Sequence, residues 1–180
     1  MIMLSEAALA SAQPLVDAGW VNVGAMPLML LNESPSEVPA LGDVRALGDR
    51  ELADARELLF DAVALDHSSA AIVLPDSLVV RPDMGIWGIF EHDQLVGEVT
   101  VVSEQGVAAV WSMATLRSRQ GEGFGRQLLT EVLREKFAQG ASASLLSSSK
   151  AGERLYRSLG YVAVEYVQLW SRPHWVLGSS

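Results

Sequence analysis

Residues 120–126, with the sequence QGEGFGR, place three glycines at alternate positions directly before a segment with helical periodicity. Glycine has no Cβ atom to shield its backbone, and the first N–H groups of a helix have no partner within the helix. The helix dipole adds roughly half a positive charge at the same end. The stretch therefore predicts an anion-binding turn, with Arg117, Arg119 and Arg126 nearby; a tight turn without a ligand is the alternative.

The net charge and composition of the whole chain limit the kinds of ligand and site that we expect. The chain has 180 residues and a formal net charge of −9, which argues against general affinity for nucleic acid or for an anionic membrane. It has no cysteine, and its three histidines are far apart in sequence, so we expect no disulfide and no metal site. The first basic residue is Arg45 and no long apolar run occurs, so we expect a cytoplasmic protein without a secretory signal.

The apolar periodicity predicts strands and helices in alternation. In chain order we expect a helix over 4–18, a strand over 19–31 with a bulge or an edge at Pro27, a loop over 32–39, a strand over 43–47, helices over 48–65 and 68–74, a hairpin of strands over 84–92 and 95–102 with its turn at Asp93-Gln94, a strand over 107–115, a helix over 123–139, a strand over 142–146, a helix over 152–159 and a strand over 161–170.

Two segments of the chain resemble each other. Residues 18–23 (AGWVNV) and residues 159–164 (LGYVAV) both place a glycine and an aromatic residue between a helical segment and a strand. Either residues 1–41 are the vestige of a second copy of the fold, or the similarity is that of any helix-to-strand junction. We expect an N-terminal helix–strand extension over 1–41 and one domain over 42–180.

Residues 120–126 fit two known phosphate-binding motifs poorly. A Walker A loop needs a lysine after its glycines, and none follows here; the dinucleotide-binding fingerprint needs the spacing Gly-x-Gly-x-x-Gly, which these glycines do not have. Together with Met113-Ala114-Thr115 before them, residues 120–126 resemble the Gln/Arg-x-x-Gly-x-Gly/Ala signature of the GNAT superfamily, the acyl-CoA-dependent N-acyltransferases. Residues 149–161 (SKAGERLYRSLGY) are similar to a later segment of that family. The resemblance implies an α+β fold with a mostly antiparallel mixed sheet, flanked by helices and splayed between strands over 107–115 and 142–146.

The resemblance also implies the ligand and its contacts. Acetyl-CoA would be the co-substrate, a primary amine of a small molecule or peptide the acceptor, and Tyr156 the proton donor to the leaving thiolate. A homodimer is a further expectation. The cofactor-binding positions carried over are Met113, Ala114, Thr115, Gln120, Gly121, Glu122, Gly123, Phe124, Gly125, Arg126, Ser149 and Tyr156.

The general base is harder to assign. Glu91, Glu98 and Glu104 lie in or beside the predicted hairpin; we select Glu98, with a surface carboxylate or a string of waters as the alternative. Trp87 and Trp111 are expected in the core, or else in an acceptor pocket. Two other functions stay open, namely a non-catalytic acyl-CoA-binding module and a binder of phosphate or nucleotide.

Overall fold

The computed structural model describes residues 2–63, 67–80 and 83–172. Two compact units divide the chain, residues 31–145 and residues 1–30 with 146–180. The domain boundary expected at residues 41 and 42 stays a prediction. Besides short 3₁₀ turns, the elements are β1 (Ile2–Leu4), α1 (Gln13–Asp17), β2 (Val21–Leu31), β3 (Asp43–Ala46), α2 (Leu52–Val63), α3 (His67–Val73), β4 (Met84–Glu91), β5 (Gln94–Glu104), β6 (Val107–Thr115), α4 (Phe124–Ala138), β7 (Ala143–Ser147), α5 (Glu153–Ser158) and β8 (Val162–Ser171).

The unit over residues 31–145 is built on a mixed sheet in the order β7-β6-β5-β4-β3. The pairs from β3 to β6 are antiparallel, whereas β6 and β7 are parallel. The β6–β7 register covers only Val107–Ala109 against Ala143–Leu145, so residues 110–115 of β6 lie beyond this pairing. This short register agrees with the splay expected between these two strands.

Helices cover both faces of that sheet. Ile86 and Phe90 of β4, Leu95 of β5 and Ala114 of β6 share one face, because side chains directly opposite in a sheet point the same way. They form one core with α2, α3 and the residue after α3; the buried members are Leu52, Ala55, Leu58, Leu59, Ala70 and Leu74. α4 covers the other face, where the Lys136 Nζ atom lies 4.4 Å from the ring centroid of Trp87.

The other unit holds an antiparallel sheet in the order β1-β8-β2. The bulge expected at Pro27 occurs one step later, between Leu28 and Met29. Pro27 lacks an N–H group, but its carbonyl oxygen accepts a hydrogen bond of 3.0 Å from the backbone N–H of Ser148.

Two local expectations were wrong. Residues 4–18 do not form one helix: a short strand, a 3₁₀ turn over Glu6–Ser11 and α1 replace it, and α1 begins beside Pro14 because proline lacks the N–H group that an earlier turn would use. The hairpin turn is at His92-Asp93, not at Asp93-Gln94. Both turn residues have positive φ, +46° and +65°, as the twist of a two-residue hairpin requires.

The structure confirms the α+β class, with sheets flanked by helices. Within the described residues, no helix is both long and apolar enough to cross a membrane.

Candidate active site and the glycine turn

The glycine turn follows β6 and leads directly into α4. Gly121 and Gly123 have φ values of +83° and +100°, which side chains rarely adopt, so glycine is needed at both positions. A Cβ atom on Gly121 would meet nothing within 4 Å, whereas one on Gly123 would lie 3.1 Å from the Leu41 Cδ1 atom. The space next to the backbone of Gly121 is therefore open, as an approaching ligand requires.

Gly123 occupies the N-cap position of α4, and its carbonyl accepts the first helical hydrogen bond, from the N–H of Gln127. The N–H groups of Phe124, Gly125 and Arg126 precede that bond and have no acceptor within the helix. They point out of the helix end where the dipole is positive. The geometry is that of an anion-binding turn.

Gln127 and Gln120 fix the surroundings of this turn. The buried Gln127 side chain accepts hydrogen bonds from the N–H groups of Leu41 and Gly42, at 2.6 and 3.1 Å, and donates one to the Gly42 carbonyl. This holds Leu41 against Gly123. The Gln120 side chain donates to the Thr115 carbonyl at 3.1 Å, so it ties the turn to the end of β6.

The arginines near the turn do not act as one cluster. The Arg119 guanidinium pairs with the carboxylates of Glu91 and Glu122 and lies over the ring of Phe124, 4.6 Å from its centroid. These bonds raise the pKa of Arg119 and lower the pKa of Glu91. The positive charge of Arg119 is thus balanced by two carboxylates. Arg126 is exposed and forms no ion pair among the described residues.

β6 contains a β-bulge shortly before the turn. Val99 pairs with Met113 and Val101 with Val110, so that two residues of β6, Trp111 and Ser112, face the single Thr100 of β5. Bulges redirect side chains and are common beside active sites. This bulge lies one residue before Met113, the first of the positions that the family resemblance assigns to the cofactor.

Glu98 lies on the same strand pair and is completely buried. It pairs with Gly88 on one side and with Ala114 on the other, so its side chain points into the core formed with α2 and α3. Burial raises the pKa of the Glu98 carboxyl to about 7, partly offset by the Ser112 hydroxyl, which donates a hydrogen bond of 2.8 Å to Oε1.

Two sequence-based expectations fail here. The alternative to a base at Glu98 was a surface carboxylate, and the structure buries this side chain instead. Trp111 was expected in the core but is 62% exposed, and β5 separates its strand from that of Trp87, which is buried. The other two carboxylates considered for the base, Glu91 and Glu104, are partly or fully exposed.

In the unit that contains β8, Ser149 and Tyr156 flank the start of α5. The Ser149 hydroxyl accepts a hydrogen bond of 3.2 Å from the N–H of Gly152, which is the N-cap residue of α5. The ring of Tyr156 packs over Gly152, where a Cβ atom would come within 2.8 Å of it, and forms an edge contact with Tyr161 at 5.9 Å. Gly152 is thus required for this position of the Tyr156 ring.

The two histidines within the described residues are apart and have separate surroundings. His67 stacks on Phe60 and pairs with Glu57, and His92 is in the hairpin turn. His174 lies outside the described residues, as does Trp175. Within the described ranges no group of three or more metal-ligating side chains occurs.

Ser112 and Gln127 are the site residues that sequence reasoning missed. A serine in the middle of an apolar strand is a weak signal, because its contact with Glu98 depends on the register of two strands. The signal for Gln127 was stronger: it is a polar residue on the apolar face of α4, next to Leu128 and Leu129. Buried amides of this kind usually bind backbone groups.

Comparisons with known proteins define the class. Residues 82–163 match the family described as "Acetyltransferase (GNAT) domain". No curated protein sequence matches the chain. A solved GCN5-related N-acetyltransferase from Kribbella flavida is 23% identical over 94% of this chain, with a TM-score of 0.70, and the match spans 66% of that protein's length.

Two further solved structures are similar. One is the ribosomal-protein-S18-alanine N-acetyltransferase from Escherichia coli, 17% identical over 74% of this chain and 94% of that one, with a TM-score of 0.59. The other is AAC(6')-Iy with the bisubstrate analogue CoA-S-monomethyl-acetylneamine, 15% identical over 67% of this chain and 90% of that one, with a TM-score of 0.57. At identities this low, the structural similarity shows a common fold and nothing more.

The resemblance carried by the glycine turn is thus confirmed. The protein has the GNAT fold, and its residues 82–163 match the GNAT acetyltransferase domain.

Proposed function

We propose that this protein is an acetyl-CoA-dependent N-acetyltransferase that transfers the acetyl group directly to a primary amine. The observation that carries the proposal is the turn over residues 120–126. There, two glycines with positive φ leave backbone N–H groups uncovered at the start of α4, inside the segment that matches the GNAT acetyltransferase domain.

The diphosphate of coenzyme A is the anion that fits this turn best within such a domain. Its oxygens would accept hydrogen bonds from the N–H groups of Gly121, Gly123, Phe124 and Gly125, and Arg126 would add a positive charge. Backbone groups of Met113 and Thr115 would bind the pantetheine arm, Ala114 lying between them. Gln120, Glu122 and Ser149 complete the cofactor-binding positions that the family resemblance suggests.

The transfer needs a neutral amine, a stabilised oxyanion and a proton for the departing thiolate. We assign the thiolate proton to Tyr156 and the role of base to Glu98. Burial favours Glu98 for this role, because a carboxyl group with a pKa of about 7 accepts protons efficiently near neutral pH.

The acceptor is an amine of a small molecule or peptide. Solved relatives with this fold are a ribosomal-protein-S18-alanine N-acetyltransferase and AAC(6')-Iy bound to a CoA analogue of acetylneamine. The net charge of −9 favours a cationic acceptor such as a polyamine, an aminoglycoside or a lysine-bearing peptide.

Two measurements test the proposal. Calorimetric titration with CoA should detect binding, and a thiol-release assay with acetyl-CoA and a panel of amines should detect turnover. Tyr156→Phe should lower kcat by roughly a hundredfold and leave CoA affinity nearly the same, because the variant loses the phenolic hydroxyl group that donates the proton but keeps the aromatic ring. Tyr166→Phe, an exposed tyrosine on β8, is the matched control and should leave both unchanged.

Other outcomes would favour other functions. CoA binding without turnover of any amine would favour the non-catalytic module. Thermal protection by ATP equal to that by CoA would favour a nucleotide binder. A Tyr156→Phe variant with full activity would remove Tyr156 from the chemistry but leave the transferase assignment intact.

We further propose that the protein is a cytoplasmic homodimer. The exposed apolar side chains of Val162, Val164 and Tyr166, at alternate positions of β8, support association. The absence of cysteine fits a reducing compartment. A sedimentation mass equal to one chain would contradict the dimer.

A further inference from the structure

The base assigned above has no direct access to an acceptor. The Glu98 side chain is fully buried, and its neighbours across the sheet are Gly88 and Ala114. Any proton that reaches Glu98 must therefore pass through a group that contacts both Glu98 and the outside.

Ser112 is such a group. It is half-buried rather than buried, and its hydroxyl donates a hydrogen bond of 2.8 Å to the Glu98 Oε1 atom. Among the described residues, neither the Glu98 Oε2 atom nor the Thr100 Oγ1 atom has a hydrogen-bond partner, so Ser112 makes the one polar contact of this carboxyl group.

The β-bulge explains the position of Ser112. In a regular strand, successive side chains alternate between the two faces, whereas Trp111 and Ser112 both face Thr100 here. Trp111 is largely exposed, which means that the surface at the bulge is open. The bulge also lies beyond the three residue pairs that join β6 to β7.

We propose that Ser112 is a catalytic residue that relays the proton of the acceptor amine to Glu98. This inference rests on the proposed transferase function and assigns a role within it.

The relay conserves protons and electrons. The Ser112 oxygen takes a proton from the ammonium group of the acceptor while its own proton moves to Oε1 of Glu98, so the serine stays neutral and the carboxylate becomes a carboxylic acid. The freed lone pair of the amine forms the C–N bond with the thioester carbonyl, and the C–S bond breaks. The group that gave its proton to the thiolate regains one from the second proton of the amine. Glu98 then returns the proton that it accepted to solvent through Ser112.

Charged groups on the surrounding elements do not compete with this pair. On α2, Arg56 binds the Leu74 carbonyl and Asp76, Glu57 pairs with His67, and Asp61 accepts a hydrogen bond of 2.7 Å from the Arg117 N–H. On β4, Glu91 is paired with Arg119. Desolvation and the Ser112 hydrogen bond are the two influences on the pKa of Glu98.

The test is a double-mutant cycle of Ser112→Ala and Glu98→Gln in the thiol-release assay. Each single variant should lower kcat at least about tenfold, with the dissociation constant of CoA within about twofold of the wild-type value. The double variant should be no slower than Glu98→Gln alone, because residues that act in one step are not additive. Ser112→Thr, which keeps the hydroxyl, should restore most of the rate.

The pH profile adds a readout of the Glu98 carboxyl group itself. In the wild type, the rate should rise with pH through about 7 as Glu98 ionises, and this limb should be absent from Glu98→Gln. In Ser112→Ala it should move to higher pH, because the hydrogen bond that favours the carboxylate is lost. Ser103→Ala, an exposed serine on β5, is the matched control.

The possible outcomes distinguish failure of the relay from failure of the transferase function. Additive losses in the double variant, or an unchanged rate and pH limb in Ser112→Ala, would overturn the relay while wild-type turnover upholds the transferase. A wild-type protein that binds no CoA or releases no thiol would overturn the proposed function, and the relay with it. Thermal unfolding of each variant checks that the fold is intact.

Discussion

Glu91 and Glu98 lie on neighbouring strands of one sheet, and their carboxyl groups have opposite surroundings. Glu91 is partly exposed, and hydrogen bonds from the Arg119 guanidinium lower its pKa. Glu98 is enclosed, and desolvation raises its pKa to about 7. One carboxyl group is therefore ionised at neutral pH and binds a loop, while the other is close to its own midpoint and suited to proton transfer.

Position within the sheet accounts for the difference. Glu91 is the last residue of β4, beside the hairpin turn, where a side chain reaches both solvent and the turn after β6. Glu98 is in the middle of β5 under α2 and α3. The same residue type thus has a lowered pKa at the end of a strand and a raised pKa in the middle of one, because burial and partners set the pKa.

The largest effect expected from this comparison concerns stability and pH. An acid whose pKa is raised on folding stabilises the native state below its unfolded pKa, and that contribution is lost as pH rises through the folded pKa. For Glu98 the window runs from 4.5 to about 7, and the loss is about 3 kcal/mol. Urea unfolding of the wild type and of Glu98→Gln between pH 4 and 8 measures it.

The difference in the free energy of unfolding between the wild type and Glu98→Gln reports on Glu98 alone, because the two proteins share all other titrating groups. Stability of Glu98→Gln should decline less steeply over that window. Parallel curves would mean that Glu98 is solvated in the native state, and the contrast with Glu91 would fail.

The second largest effect tests what fixes the conformation of the glycine turn. The two candidates are the positive φ angles of its glycines and the ion pairs of Arg119. Gly123→Ala should lower the free energy of unfolding by about 1–2 kcal/mol, because alanine is strained at positive φ and its Cβ would press on Leu41. Gly121→Ala has a similar φ but open space around it, and serves as the control. Chemical unfolding gives both values.

Both variants should also weaken CoA binding, since both change the turn proposed to bind the diphosphate. Equal stabilities for Gly123→Ala and wild type would mean that the turn adjusts without cost. The Arg119 ion pairs would then be the main constraint on its shape.

The smallest effect is expected for Glu91→Gln. It removes one ionised partner of Arg119, so the loop should loosen and the unfolding temperature should fall by less than in Gly123→Ala, because ion pairs near solvent contribute little. The difference from wild type should shrink in high salt, since salt screens the wild-type pair. Asp93→Asn, a neighbouring exposed carboxylate, should change neither quantity.

Local sequence signals were sufficient for most of the fold. The strand over Val107–Thr115 and the helix beginning at Phe124 were predicted within one residue, because alternating and helical periodicity are properties of short segments. The 3₁₀ turn at Glu6–Ser11 and the turn at His92-Asp93 were not, because residue preferences there conflict and longer-range pairing decides.

Long-range contacts limited the prediction of the site. Three glycines at alternate positions directly before a helical segment form a local pattern, so the anion-binding turn could be predicted from the residues alone. The partner of Arg119 could not, because Glu91 is 28 residues away and reaches it through the packing of the hairpin. The burial of Glu98 has the same origin.

The amino-acid sequence by itself determined the glycine turn, the amphipathic α4 and the resemblance to the GNAT superfamily, since each depends on residues that are close together in the chain. The tertiary structure decided which carboxyl group is ionised, which arginine is neutralised and where β6 bulges. Those properties follow from strand register and desolvation, which arise only when distant segments pack together.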